Sequence, residues 1–249
     1  HGHHRRQRQM CIRDRSCTPQ ARAILQPNDV INTNPNGLDT LRQDMVKASA
    51  PGKCILFGEH AVVYGQPALA CSIDQRMIIE IEREKTFNAW RVDGRTLDAK
   101  KHPHIEYIRT RLPPHDGQPM HIRIRGTIPK ASGLGSSAAL SVALCGALQQ
   151  IRNEAIDPVN ASVLSHLAEA EAQGGRASPM DTATSSLGGF VVLSDAIEES
   201  LDYIETRTMD VNGETRQWHL HTFNAQIPEG VALVVGNTGV RGSTSAMVN

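Results

Sequence analysis

The alternation of apolar and polar positions becomes regular at Met45 and holds to about Val235. Met45 to Ala50 reads as a strand, Pro51-Gly52 as a turn, and Lys53 to Phe57 as a second strand. Pro67 to Ile73 and Arg76 to Glu82 read as further strands, the second setting Met77, Ile79 and Ile81 against charged neighbours. His104 to Leu112 has helical spacing at Ile105, Ile108 and Leu112. His121 to Arg125 alternates, which predicts a strand with one solvated, charged face. Ser137 to Ile151 is an apolar, small-residue helix that should pack deep. A further helix starts at Asp157-Pro158 or Asn160, with Val163, Leu164 and Leu167 on one face, and breaks at Gly174-Gly175. Arg176 to Asp181 reads as a loop, and Leu187 to Leu193 as a turn into a strand. Residues 195 to 217 are charged and read as irregular. Trp218 to Phe223 alternates as a strand, Val231 to Val235 reads as a buried one, and Asn237 to Ser245 is a polar loop. Strands and helices mixed in this way predict an α+β fold.

Residues 1 to 44 follow another rule. They are basic and His-rich at the start, then rich in Asn and Pro, with no apolar period before Leu41. They are expected to be a disordered or non-native extension. The chain stops at Asn249 where the pattern of another helix begins, so a C-terminal part is expected to be missing. The expected organisation is an extension over 1–44, a main domain over 45–230 and the start of a second domain over 231–249.

Composition narrows the function. Basic and acidic residues balance, and aromatics make up 4% of the chain, which argues against nucleic acid as a partner. No run of 18 apolar residues exists, so no membrane span is expected. The five cysteines show no CxxC pairing and read as free thiols of a reducing cytoplasm. The histidines His102, His104 and His115, and the pair His219 and His221, read as surface groups, because their spacing fits no metal site.

One stretch carries chemistry. Pro129-Lys-Ala-Ser-Gly-Leu-Gly-Ser-Ser-Ala-Ala-Leu140 joins the strand ending near Ile128 to the deep helix. Gly133 and Gly135 permit backbone conformations that a Cβ would block. Ser136 and Ser137 open the helix, whose unpaired N–H groups and positive dipole end face the loop. That arrangement suits phosphate, although a plain glycine-rich turn would look similar. The chain has neither GxxxxGK[ST] nor GxGxxG, so the loop belongs to another nucleotide-binding style. Phosphoryl transfer also needs a metal ligand, a countercharge and a group that positions the acceptor. Ser137 with Glu171 or Glu169 can supply the first, Lys53 the second and Asp181 the third. Taken singly, Asp181 would read as a helix cap, the glutamates as a solvated helix face and Lys53 as a turn lysine.

Three blocks together resemble one family. Ala50-Pro-Gly-Lys-Cys-Ile-Leu-Phe-Gly-Glu-His-Ala-Val-Val-Tyr-Gly65 resembles the first motif of the mevalonate kinases, in the GHMP kinase superfamily. Pro129 to Ala139 is similar to their phosphate-binding motif. Ala177 to Gly189 resembles the segment with the catalytic aspartate, in its archaeal form. The resemblance implies a GHMP kinase fold, with an N-terminal domain like ribosomal S5 domain 2 and a C-terminal domain largely missing here. It implies ATP-dependent phosphorylation of the C5 hydroxyl of mevalonate in isoprenoid synthesis. Asp181 would be the base and Lys53 would stabilise developing charge. Lys130, Ser132, Gly133, Leu134, Gly135, Ser136 and Ser137 would wrap the ATP phosphates. Glu59, His60 and, more weakly, Thr238 would lie on the substrate side. Ser137 and Glu171 would hold Mg²⁺, with Glu169 open because Gln173 to Arg176 is one residue longer than the usual spacing. The partners implied are ATP and mevalonate, with a homodimer as an option. The alternatives are another GHMP small-molecule kinase, such as a phosphomevalonate kinase or a mevalonate 3-kinase, and an incomplete fragment that only binds nucleotide.

Overall fold

The structure, a computed structural model, describes residues 11–13, 45–58, 66–129, 132–175, 177–211, 214–225 and 228–236. Its strands are β1 (Cys11–Arg13), β2 (Met45–Phe57), β3 (Ala68–Arg83), β4 (Arg91–Val92), β5 (Arg95–Thr96), β6 (Met120–Gly126), β7 (Phe190–Ser194), β8 (Asp202–Val211), β9 (Glu214–Phe223) and β10 (Val234–Gly236). Its helices are α1 (Pro103–Arg111), α2 (Ser136–Ile151), α3 (Pro158–Ala172) and α4 (Met180–Leu187). The mixed α+β architecture is the one expected, with a largely antiparallel sheet. No helix among the described residues is long and apolar enough to cross a membrane.

β3 is the spine of the sheet. It pairs antiparallel with β2 along nearly its whole length. Its other edge is shared: Met77 to Arg83 pairs with β6, and Ala68 to Cys71 with β7. The sheet then extends through β4 and β5 beyond β6, and through β9 and β8 beyond β7. β1 and β10 form a separate antiparallel pair.

Four expectations about the strands change. Met45–Phe57 is one strand rather than two around a turn, because β3 holds it throughout and Pro51-Gly52 is absorbed as a register shift. Proline is tolerated there because β2 pairs with β3 alone among the described strands. Ala68–Arg83 is likewise one strand. Much of 195–217, read as irregular, belongs to the β8–β9 hairpin, whose register closes Val211 on Glu214. Asn212-Gly213 lies between them, the residue pair that best favours a two-residue hairpin turn. In the run Val231–Val235, read as buried, only Val234 and Val235 are in a strand, and Val231 and Val234 are both 61% exposed, since no described element covers them.

The main core is α2 against the sheet. Val142, Ala143, Leu144, Ala147 and Leu148 are fully buried and pack with Ala48, Ala50, Ile79 and Ile81. Small residues on both sides allow a close approach, and each fully buried Val or Leu stabilises by about 1.5–3 kcal/mol. A second core lies under α4, where Met180 and Ala183 meet Ala68, Ala70, Val191, Leu193, Trp218 and Leu220. That packing fixes the helix that carries Asp181.

α3 turns a different face inward from the one its leucines suggest. Asp157 caps it, accepting from the Asn160 N–H at 3.0 Å. Leu167 is exposed, and Val163 and Leu164 are only half-buried. The buried face is Ala161, Ser162, Ser165, His166, Ala168 and Glu169. Small side chains let α3 close on α2, and Ser162 and His166 on that face find partners. Arg207 from β8 donates to the Ser162 hydroxyl at 2.9 Å and pairs with Glu205. His166 Nε2 lies 3.0 Å from the Ala177 carbonyl, to which it donates.

Burial pushes the His166 imidazole down to about 4. Above roughly pH 6.5 it is neutral whether the chain is folded or not. Below that, the unfolded chain takes up a proton that the folded chain refuses, so this stability contribution is lost as pH falls towards 4. The expected loss is about 1.4 kcal/mol per pH unit, or ~3 kcal/mol across the window. Urea melts from pH 7 to 4.5 should show a shallower decline for His166→Gln than for wild type. Parallel declines would refute the assignment.

Candidate active site

The loop after β6 is shaped by its glycines. Gly133 and Gly135 have φ of +74° and +71°, a left-handed conformation that side chains rarely adopt. Gly135 also stands at the N-cap of α2 without a side-chain cap, so the first N–H groups of that helix stay available to a ligand. The Ser132 hydroxyl donates to the Pro129 carbonyl at 2.7 Å and tightens the turn.

This loop is clamped to the open edge of β2. The Lys53 N–H donates to the Leu134 carbonyl at 3.0 Å. A Cβ on Gly52 would come within 2.7 Å of that same carbonyl, and one on Gly135 within 2.8 Å of the Lys53 Cγ. Glycine is therefore required on both sides of the contact. It brings the lysine stem directly against the start of α2.

The lysine ends on Asp181. Nζ lies 2.9 Å from Oδ1, with the lysine side chain 5% exposed and the aspartate 39%. Asp181 is not a cap: α4 begins at Met180, with Pro179 at the N-cap. It sits in the first turn, where the helix dipole favours its charge. The other end of α4 is tied to the same place. Ser72, the cross-strand partner of Lys53, donates its N–H to the Gly189 carbonyl and accepts from the Gly189 N–H, both at 2.9 Å. Lys53, Asp181 and the loop are thus held by one sheet position from three directions. Nothing in the sequence around Ser72 signalled its part in this.

The carboxylate next to Ser137 is Glu169, not Glu171. Glu171 is exposed, whereas Glu169 is 6% exposed and near enough to the Ser137 hydroxyl for that group to help hold its carboxyl low. Two residues along a helix turn a side chain by about 200°, so both cannot face α2. Gln173 Nε2 donates to Glu169 Oε2 at 2.7 Å. His104 Nε2 lies 3.4 Å from Oε1, an ion-pair distance but not an aligned hydrogen bond, and both atoms are buried without a hydrogen-bond partner. Burial pushes the Glu169 carboxyl up, but the neighbouring His104, Ser137 and Gln173 outweigh it and hold it below the ordinary carboxylate value.

His104, read as a surface group, is therefore part of this cluster. His221 is also buried, because β9 lies inside the sheet between β7 and β8, and its Nε2 accepts the Glu198 N–H at 3.0 Å. Lys130, Glu59, His60 and Thr238 lie outside the described residues. Among the described residues no group of three or more His, Cys, Asp or Glu side chains forms a metal cluster.

Comparison with known proteins bears on this geometry. The family model "GHMP kinases N terminal domain" matches residues 101–189, which hold the loop, Ser137, Glu169 and Asp181. A mevalonate kinase from Methanothermobacter thermautotrophicus is 39% identical over 177 residues, covering 68% of this chain and 58% of that protein. One from Thermococcus sibiricus is 30% identical over 226 residues, covering 82% and 60%. The solved mevalonate kinase of Methanococcus jannaschii superposes with a TM-score of 0.55 at 26% identity, covering 62% of this chain and 55% of that one. The chain thus spans less than two thirds of the length of these relatives. The chain belongs to the GHMP kinases, and within them its relatives named here are mevalonate kinases.

Proposed function

We propose that this chain acts in the ATP-dependent phosphorylation of the C5 hydroxyl of mevalonate, giving 5-phosphomevalonate and ADP. The observation that carries the reading is the Lys53–Asp181 pair, 2.9 Å apart, set against the open N-terminus of α2. The names of the relatives support mevalonate as the acceptor. ATP as co-substrate supports a cytoplasmic setting.

In this reading the N–H groups at the start of α2 bind phosphate oxygens, helped by the dipole. The mevalonate C5 oxygen attacks the γ-phosphorus, the bond to the β–γ bridging oxygen breaks, and the hydroxyl proton passes to Asp181. Lys53 supplies a fixed positive charge where negative charge develops, and its low exposure strengthens that effect. Mg²⁺ fits the cluster on α2 and α3, because Glu169 Oε1 is buried without a hydrogen bond and the Ser137 hydroxyl is near the same carboxylate. When bound there, the ion offsets phosphate charge. Ser137 and Glu169 would hold it, and Glu171 would not.

Two experiments test this. Glu169→Gln should raise the Mg²⁺ concentration needed for half-maximal activity by roughly 10-fold or more, the usual scale for a disturbed metal site. Glu171→Gln should leave it unchanged, and the reverse pattern would overturn the assignment. In an acceptor panel, ADP release should depend on mevalonate. Faster release with phosphomevalonate or galactose would move the reading to another GHMP kinase.

A further inference from the structure

Glu169 is held from two sides by residues on different elements. Gln173, one turn further along α3, fixes Oε2. His104 approaches Oε1 from α1, where Pro103 starts the helix and Ile105 and Ile108 bury it in the core. His104 is thus carried by a packed element, while Gln173 is an exposed C-cap residue. Holding His104 Nε2 and Glu169 Oε1 buried at 3.4 Å, an ion-pair distance without an aligned hydrogen bond, forgoes stability that a bond would give. Such a cost at one spot calls for an explanation other than packing.

We propose that His104 is a positioning residue: it restrains the free oxygen of Glu169 beside Ser137, so that the carboxylate is already aimed when a metal–nucleotide arrives. The proposal rests on the metal assignment above. Without His104, only Gln173 orients the carboxylate, and the Oε1 side is free to rotate away from α2. Partners one step out from a metal ligand commonly change metal affinity by 10- to 100-fold, so the expected effect is of that order.

The test is Mn²⁺ binding to the full chain in the presence of ATP, followed by electron paramagnetic resonance, for wild type, His104→Ala and His104→Gln. His104→Ala should weaken Mn²⁺ binding about 10-fold or more. His104→Gln keeps an amide donor in reach of Oε1 and should recover most of that loss. Thermal melts without nucleotide serve as the folding control. Equal affinity in His104→Ala and wild type would overturn the proposal. Equal loss in Ala and Gln, matched by an equal drop in melting temperature, would also overturn it, because the role would then be packing. If wild type binds no Mn²⁺ with ATP, the metal assignment fails and the proposal falls with it.

Discussion

Asp181→Asn is expected to cut mevalonate-dependent ADP release by about 10²–10⁴-fold, the range for losing a positioned general base. The substitution keeps size and shape, and the amide oxygen can still accept from the Lys53 ammonium. The second core under α4 does not involve the carboxylate, so the fold should survive. Some stability should nonetheless be lost. Lys53 is almost wholly buried, and a buried cation without its counter-charge is unfavourable. The partial exposure of Asp181 limits that loss, because water reaches the site. Steady-state kinetics with calorimetric ATP titration separates the effects: kcat should collapse while ATP affinity holds. Turnover within a few-fold of wild type would remove Asp181 from the chemistry.

Lys53→Met should lower kcat by about 10²–10³-fold, the usual cost of one preorganised charge at a transition state. Its effect on stability should differ from that of Asp181→Asn. Methionine fills most of the lysine stem's space against Gly135, and replacing a buried charge by an apolar group is often neutral. Asp181 is 39% exposed, so water can solvate its carboxylate when the lysine charge is gone. Urea melts should therefore show little change, alongside the loss of turnover. The backbone bond from Lys53 N–H to Leu134 is independent of the side chain, so the loop should stay in place. A large stability loss with intact activity would mean that Lys53 is a structural residue.

Much of this site was legible in the sequence because its parts are local. Two glycines and two serines between a strand and an apolar helix mark the open start of α2 without any tertiary information. The same holds for α1, whose Ile105 and Ile108 spacing matches its buried face. What was not legible depends on pairing at long range. Pro51-Gly52 looks like a turn until β3 is seen to hold β2 through it. Ser72 gives no local signal, since its role exists only because it lies across from Lys53 and beside Gly189. The choice between Glu169 and Glu171 turns on which face of α3 meets α2. The leucines on α3 pointed the wrong way, because the buried face is built from Ala and Ser. His104 was misread for a related reason: the spacing of the nearby histidines fits no metal site, and its approach to Glu169 exists only once α1 is packed on α3.

The most direct test of the central claim is the ³¹P spectrum of the product formed from ATP, Mg²⁺ and mevalonate. Transfer to the C5 hydroxyl places the phosphate on a CH₂ group, so its signal should be a triplet split by the two C5 protons, growing in step with ADP. A proton-uncoupled singlet from the tertiary C3 position would contradict the account, as would ADP formed with inorganic phosphate alone.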